Sequence, residues 1–252
     1  MTSVVPPRPP MQQQFPPWAA QVEAVAIDLD GTLLDTLPDI AQAADRMLLE
    51  LGRTAAGPEL VRGYIGNGIA RLVQRLLTGT LDGQAEAALF EHGLTVFERH
   101  YRDTFLQRPL PFPGVVEGLA RMRASGLQLA CVTNKPAAFT NPLLAAVGFA
   151  ERFDLVVSGD SLPARKPDPL PLLHVARRFG VAPARLLVIG DSDNDTRAAR
   201  AAGCPVVCVP YGYRGAAQVR DLDCDAIVSD LLQACRRIAP QRTAFRGMVP
   251  PP

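Results

Sequence analysis

No apolar run in the 252-residue sequence approaches the roughly 20 residues that a membrane-spanning helix requires. Charge of one sign is lacking as well: 26 Lys and Arg face 25 Asp and Glu, and no basic run invites a nucleic acid or a membrane surface. The five cysteines (Cys131, Cys204, Cys208, Cys224 and Cys235) form no CxxC pair, and several sit inside apolar runs. Buried free thiols in a reducing compartment are therefore expected, not a disulfide or zinc framework. His92, His100 and His174 have no ligand spacing and are expected to serve packing or the surface. The Pro- and Gln-rich start lacks both the charged beginning and the apolar centre of a signal peptide. Disordered tails are expected over residues 1–20 and 240–252, with Trp18 a candidate to pin the first to the domain. No internal repeat is evident. These absences leave a cytoplasmic protein, monomer or homodimer, long enough to bury a substantial core.

What is present is concentrated in Val25-Ala26-Ile27-Asp28-Leu29-Asp30-Gly31-Thr32. A β-branched apolar run ends in two acids one residue apart, then a glycine, which reads as a buried strand from Val22 to Ile27 and the turn that ends it. Residues i and i+2 of an extended chain share a side, so Asp28 and Asp30 begin on one face. Carboxylates that close disfavour each other's ionisation unless a cation is supplied, and magnesium is the natural hard cation for oxygen ligands. An Asp-rich turn that merely caps a strand is the plainer alternative.

From Asp39 to about Arg108 only helical patterns follow. Ile40, Ala43, Ala44, Met47, Leu48 and Leu51 repeat at helical spacing after Pro38, another helix begins near Pro58, and Ile65-Gly66-Asn67-Gly68 opens a third. Gln84 to Leu106 makes a fourth. The pattern then changes to strands at 127–133, 153–158, 185–189, 206–209 and 226–228, with helices at 136–147, 169–179 and 194–202 between them. Strands alternating with helices predict an α/β fold: a Rossmann-like, doubly wound and mostly parallel sheet with helices on both faces. The expected organisation is a core of residues 21–37 and 109–239, interrupted by a helical cap at 38–108.

In such a sheet ligands collect beyond the carboxyl ends of the strands. The first strand ends in Asp28 and Asp30, the second in Thr133-Asn134-Lys135. The third leads to Arg165-Lys166-Pro167-Asp168, and the fourth to Gly190-Asp191-Ser192-Asp193-Asn194-Asp195. Acids, a hydroxyl and a lysine on one edge suit phosphoryl transfer, which needs a nucleophile, charge neutralisation and a proton for the leaving oxygen. Asp28 is placed to be the nucleophile and Asp30 the acid and base. Asp191 would complete a magnesium shell, Thr133 would offer a hydroxyl and nearby backbone N–H groups to the phosphate, and Lys166 would hold phosphate and nucleophile together. Singly, a Thr such as Thr133 is usually an N-cap, a Lys such as Lys166 usually a solvated loop residue, and Gly-Asp-Ser a common turn. Their order after successive strands is what favours chemistry.

Asp28-Leu29-Asp30-Gly31-Thr32, Thr133, Lys166-Pro167 and Gly190-Asp191-Ser192-Asp193-Asn194-Asp195 resemble the four motifs of the haloacid dehalogenase-like hydrolases, over about residues 23–238. The resemblance implies a magnesium-dependent phosphatase with an aspartyl-phosphate intermediate. It makes Asp28 the nucleophile, Asp30 the acid/base, and Asp28, Asp191 and the main-chain carbonyl of Asp30 the metal ligands. The helical insertion resembles the mobile cap of the family's first cap type. Tyr64-Ile65-Gly66-Asn67-Gly68, Ser158-Gly159-Asp160 and Lys166-Pro167-Asp168-Pro169 resemble the branch that hydrolyses 2-phosphoglycolate, with N-acetylmuramate 6-phosphate and other sugar phosphates as alternatives. Asp193 departs from that branch, where a basic residue is expected, and should point toward solvent.

A small phosphorylated metabolite is thus the expected partner. Thr133, Asn134 and Lys166 would bind its phosphate. For a substrate carboxylate, Gly66 and Asn67 at a helix start offer backbone donors, and Arg71 and Arg62 are the candidate side chains. Receiver-like phospho-aspartate modules share the acids, Thr and Lys but need no helical cap, and a non-catalytic binding protein has no need to keep Asp28, Asp30, Lys166 and Asp191 together.

Overall fold

Alternation along the strands explains the two faces of the central sheet. In the computed structural model, which describes residues 16–214 and 218–238, β1 spans Ala24–Ile27 and every residue in it is buried. Val25 and Ile27 join one apolar layer, and Ala24 and Ala26 join the other. Such continuous burial is the signature of a parallel strand covered on both sides.

Leaving β1, the chain forms β2 (Leu34–Asp35) and then four helices: α1 (Leu37–Glu50), α2 (Gly57–Tyr64), α3 (Ile69–Thr78) and α4 (Ala87–Thr104). It returns through β3 (Leu110–Pro111), which pairs antiparallel with β2, so the two connections of the helical insertion are tied together at its base. Helix α5 (Val115–Ala124) leads into β4 (Gln128–Val132), α6 (Ala137–Ala146), β5 (Leu155–Val157) and α7 (Leu170–Phe179). Then come β6 (Leu186–Gly190), α8 (Asp193–Ala202), β7 (Val206–Cys208), β8 (Ala226–Ile227) and a last helix, Leu231–Ile238.

The sheet order is β5-β4-β1-β6-β7-β8, and every pairing in it is parallel. The order reverses at β1, between β4 and β6, which makes the carboxyl end of β1 the switch point where ligands bind in doubly wound sheets. The fold is therefore the expected α/β class. α5 and the last helix cover one face, where Val115, Leu119, Met122 and Leu231 meet Ile27 and Ile189. α7 and α8 cover the other, through Leu172, Val175, Ala198 and Ala199. The four inserted helices close a core of their own around Met47, Val73, Phe97 and Tyr101, joined by Phe139 of α6.

Four of these elements are not expected from the sequence: β2, β3, α5 and the last helix. The expected tail to residue 20 is also corrected at its end. Pro17–Gln21 form a 3-10 turn, Ala19 is buried, and Trp18 packs on the sheet core. Residues 1–15 and 239–252, on which the rest of the tail expectation falls, lie outside the described residues. Among the described residues no helix is long and apolar enough to cross a membrane. The cysteines are free, four of them buried.

Candidate active site

At the switch point β1 gives way to an irregular turn that leaves Asp28 and Asp30 over a cavity of about 480 Å³ between sheet and inserted helices. Gly31 has φ 87°, and a Cβ there would lie 2.5 Å from a carboxylate oxygen of Asp191. Only glycine fits both the left-handed backbone and that close approach.

Lys166, delivered by the loop after β5, is buried and donates to three oxygens: Asp28 Oδ1 at 2.8 Å, Asp195 Oδ1 at 2.6 Å and the Val132 carbonyl at 2.6 Å. Burial disfavours its charge, but Asp195 and Asp28 outweigh that and hold its pKa above the ordinary lysine value. Asp28 is pushed up to about 7, chiefly by burial, with Lys166 opposing and the Asp195 charge adding to the rise. Asp191 is likewise raised, by burial first and then by Asp28 and Asp195. It accepts from the Thr32 hydroxyl at 3.2 Å and the Tyr213 N–H at 2.8 Å. Carboxylate oxygens of Asp28, Asp191 and Asp195 come within 4.8 Å of one another.

Asp30 sits in a different environment. Lys135, buried at the start of the β4–α6 connection, donates to both of its oxygens, at 2.9 and 3.0 Å, and the Thr36 hydroxyl donates at 2.6 Å. Burial opposes the Lys135 charge, and Asp30 more than restores it, holding its pKa above the ordinary value. The two lysines thus separate the two acids: one ammonium belongs to Asp28 and Asp195, the other to Asp30.

Asp28, Asp30, Thr133, Asn134, Lys166 and Asp191 all line the cavity, and so do Gly66 and Asn67 across from them. Thr133 Oγ1 accepts from the Lys135 N–H at 3.1 Å, which orients it beside that backbone donor. Asn134 does something other than expected. Its amide nitrogen donates to the carbonyls of Gly66 and Lys166, both at 2.8 Å, so it fastens the inserted helices to the Lys166 loop. Gly66 also accepts from Asn194 at 3.0 Å, and Asn67 donates to Asn194 at 3.0 Å.

One expectation fails here. Arg71 is not among the residues lining the cavity. Its guanidinium donates to the carbonyls of Leu81 and Gly83 and to Asp82, because it lies one helical position off the face that α3 turns inward. Asp193 keeps the expected solvent exposure, with 43% of its side chain accessible, while it borders the cavity and forms an ion pair with Arg214. Arg62 does line the cavity, with Glu59 as its ion-pair partner at 3.4 Å.

Three contributors to the site have no role assigned from the sequence alone. Lys135 follows Thr133-Asn134 directly, and Asp195 closes the last motif, where its second oxygen accepts from Ser192 in a capping box that starts α8. Tyr213 reaches across to donate to Asp191 from its backbone, while its hydroxyl accepts from the Thr36 N–H at 2.8 Å. The first two were within the motifs and needed only a partner to be read; nothing local marks Tyr213.

Residues 22–203 match the family model of the haloacid dehalogenase-like hydrolases. A phosphoglycolate phosphatase of Thiobacillus denitrificans is 55% identical over 84% of this chain and 94% of its own length. One from Nitrosospira multiformis is 54% identical over 86% of this chain and 96% of its own. Among solved structures, a Haemophilus somnus 129pt protein described as a predicted phosphoglycolate phosphatase is 33% identical, with TM-score 0.79 over 86% of this chain and 97% of that one.

Proposed function

The chain belongs to the haloacid dehalogenase-like hydrolases and is a phosphoric monoester hydrolase, and from that premise we propose that it converts 2-phosphoglycolate to glycolate and phosphate. The observation that carries the reading is Asp28 held 2.8 Å from Lys166 at the switch point, with Asp30, Thr133 and Asp191 on the same cavity. The choice of ester is supported by the relatives named phosphoglycolate phosphatase.

Asp28 attacks phosphorus, the bond from phosphorus to the glycolate oxygen breaks, and an aspartyl phosphate forms. Asp30 gives its proton to the leaving oxygen. It then takes a proton from the water that attacks the phosphoryl group, which releases phosphate and restores both acids. Lys166 neutralises charge between nucleophile and phosphate, and the Thr133 hydroxyl with nearby N–H groups holds a phosphoryl oxygen. Lys135 and Thr36 fix Asp30 in place for both proton transfers.

Clustered acids, two of them with pKa values raised first by burial and then by one another's charge, fit a hard divalent cation. Asp28, Asp191 and the main-chain carbonyl of Asp30 would hold magnesium, which when bound supplies positive charge to the phosphoryl oxygens. Asp195 is occupied by Lys166 and Ser192 and positions the lysine.

Phosphate release from 2-phosphoglycolate, measured with and without magnesium and with Asp28→Asn as control, tests the reading. Turnover that requires both the ion and Asp28 is expected; Asp28→Asn turning over as fast as wild type overturns the assignment. One observation favours a second ester. The cavity of about 480 Å³ holds more than a two-carbon compound, so N-acetylmuramate 6-phosphate belongs in the same assay.

A further inference from the structure

Ile69, Leu72 and Arg75 are spaced three apart on α3, share one side of that helix, and all line the cavity. Arg75 is half-buried and already oriented. Its Nε donates to the Leu81 carbonyl at 3.0 Å and its Nη1 to the Tyr64 carbonyl at 2.8 Å. Those bonds use carbonyls, which fix the plane of the guanidinium without cancelling its charge. Among the described residues no carboxylate lies within ion-pair distance of Arg75, whereas Arg62 has Glu59, Arg71 has Asp82 and Arg214 has Asp193. On the floor of the same cavity both ammonium groups are matched by acids. Arg197 also lines the cavity, but it is exposed on α8, where solvent screens its charge.

A fixed, partly desolvated guanidinium with free N–H groups and no acid of its own is built to take a carboxylate from a ligand. We propose that Arg75 reads a carboxylate on the substrate, so that the enzyme's class of substrate is a phosphate monoester carrying a second anion remote from the phosphate. The inference rests on the phosphatase reading of this cavity and deepens it. Both 2-phosphoglycolate and N-acetylmuramate 6-phosphate have that second anion, so the shared carboxylate, not the size of the rest, is the recognised feature.

Matched substrate pairs test this. kcat/KM is measured for 2-phosphoglycolate against ethyl phosphate, and for N-acetylmuramate 6-phosphate against N-acetylglucosamine 6-phosphate. Wild type, Arg75→Met, Arg75→Lys and Arg197→Gln are compared as full-length chains. Arg75→Met is expected to lower turnover of the carboxylate members by about 10- to 100-fold, the range of one charge-assisted hydrogen-bonded contact, with the neutral members changed by no more than about threefold. Arg75→Lys, which keeps the charge but loses the fork, should fall between. The pair with the larger wild-type preference identifies the source of the carboxylate.

Equal losses on acid and neutral members in Arg75→Met would mean that Arg75 only ties α2 to the 79–84 loop, and overturn the proposal. A selective loss in Arg197→Gln with none in Arg75→Met would overturn it as well. A wild type that prefers neither acid member overturns the substrate class itself, which separates failure of the ester reading from failure of Arg75. Should Arg75→Met not fold, the acid-to-neutral ratio in Arg75→Lys decides: a fall in that ratio supports the proposal and an unchanged ratio overturns it.

Discussion

Asp28 keeps its proton to unusually high pH because burial opposes the carboxylate more than Lys166 favours it. Its pKa rises from 3.8 to about 7 on folding, so between those values the folded chain binds more protons than the unfolded one. Stability is then fully present below the lower value and lost as pH rises through the upper. At about pH 8 and without metal, Asp28→Asn should therefore raise Tm while abolishing phosphate release; a lower Tm would show that Lys166 needs Asp28 more than burial penalises it. Lys135 predicts the opposite behaviour. Removing one partner from a buried ion pair costs about 3–5 kcal/mol, and Lys135→Met leaves Asp30 only 15% exposed without its cation. Urea unfolding at neutral pH should show a loss near the low end of that range, and a loss under about 1 kcal/mol would mean water replaces the ammonium. Asp28, Asp30, Lys166 and Asp191 were legible in the sequence because each follows a strand of one sheet, which brings them to one edge. Arg71 was misread because a helix position carries phase as well as chemistry. Moving to Arg75 restores the spacing of Ile69 and Leu72.

The turn between α2 and α3 joins the inserted helices to the catalytic loops. Gly66 offers one carbonyl to both Asn134 and Asn194, and Asn67 returns a bond to Asn194. Asn194→Ala removes two of these three bonds at a half-buried site on α8, so the effect belongs to docking of the turn more than to global stability. kcat/KM should fall by roughly tenfold, the worth of one to two ordinary hydrogen bonds, with Tm changed by no more than a few degrees. A Tm drop without a kinetic loss would show the bonds serve the core alone. Gly68, with φ 81°, allows the same turn, since a Cβ would lie 2.8 Å from an Arg165 nitrogen. At this scale the long elements are legible in the sequence, and the short or unframed ones are not. Two-residue strands such as Leu34–Asp35 have no periodicity to detect. α5 repeats its buried residues Val115, Leu119 and Met122 at helical spacing, but Gly114 before it supplies no side-chain cap to announce it.

Two apolar cores, one around the sheet and one within the four inserted helices, meet mainly through aromatic residues: Phe105 touches both, and Phe139 of α6 stands 4.8 Å from the Tyr101 ring. Phe139 completes the core of the inserted helices from the sheet side, so separating the two parts would uncover this aromatic cluster. Strand order decides where the seam between them falls, and strand order is not written in any local pattern; it follows from which crossover reaches which edge. A ligand that binds across the seam should stabilise both parts at once by mass action. Magnesium with a phosphoryl-transfer analogue such as vanadate, at about 100 times its Kd, adds about 2.7 kcal/mol, equivalent to roughly 5–10 °C in Tm for a chain of this size. Neither component alone should give the full shift, because the buried acids repel the anion until the cation is present and the anion completes the charge balance. Asp191→Ala should remove the magnesium-dependent part. Hydrogen exchange should slow most at residues 65–68 and 133–135, which face each other across the seam, and little inside the helical core. Equal protection throughout both cores would mean that the two parts unfold as one unit. Protection confined to the sheet would mean that the analogue binds without engaging the inserted helices, and the carboxylate contact proposed for Arg75 would then have to form in a later step.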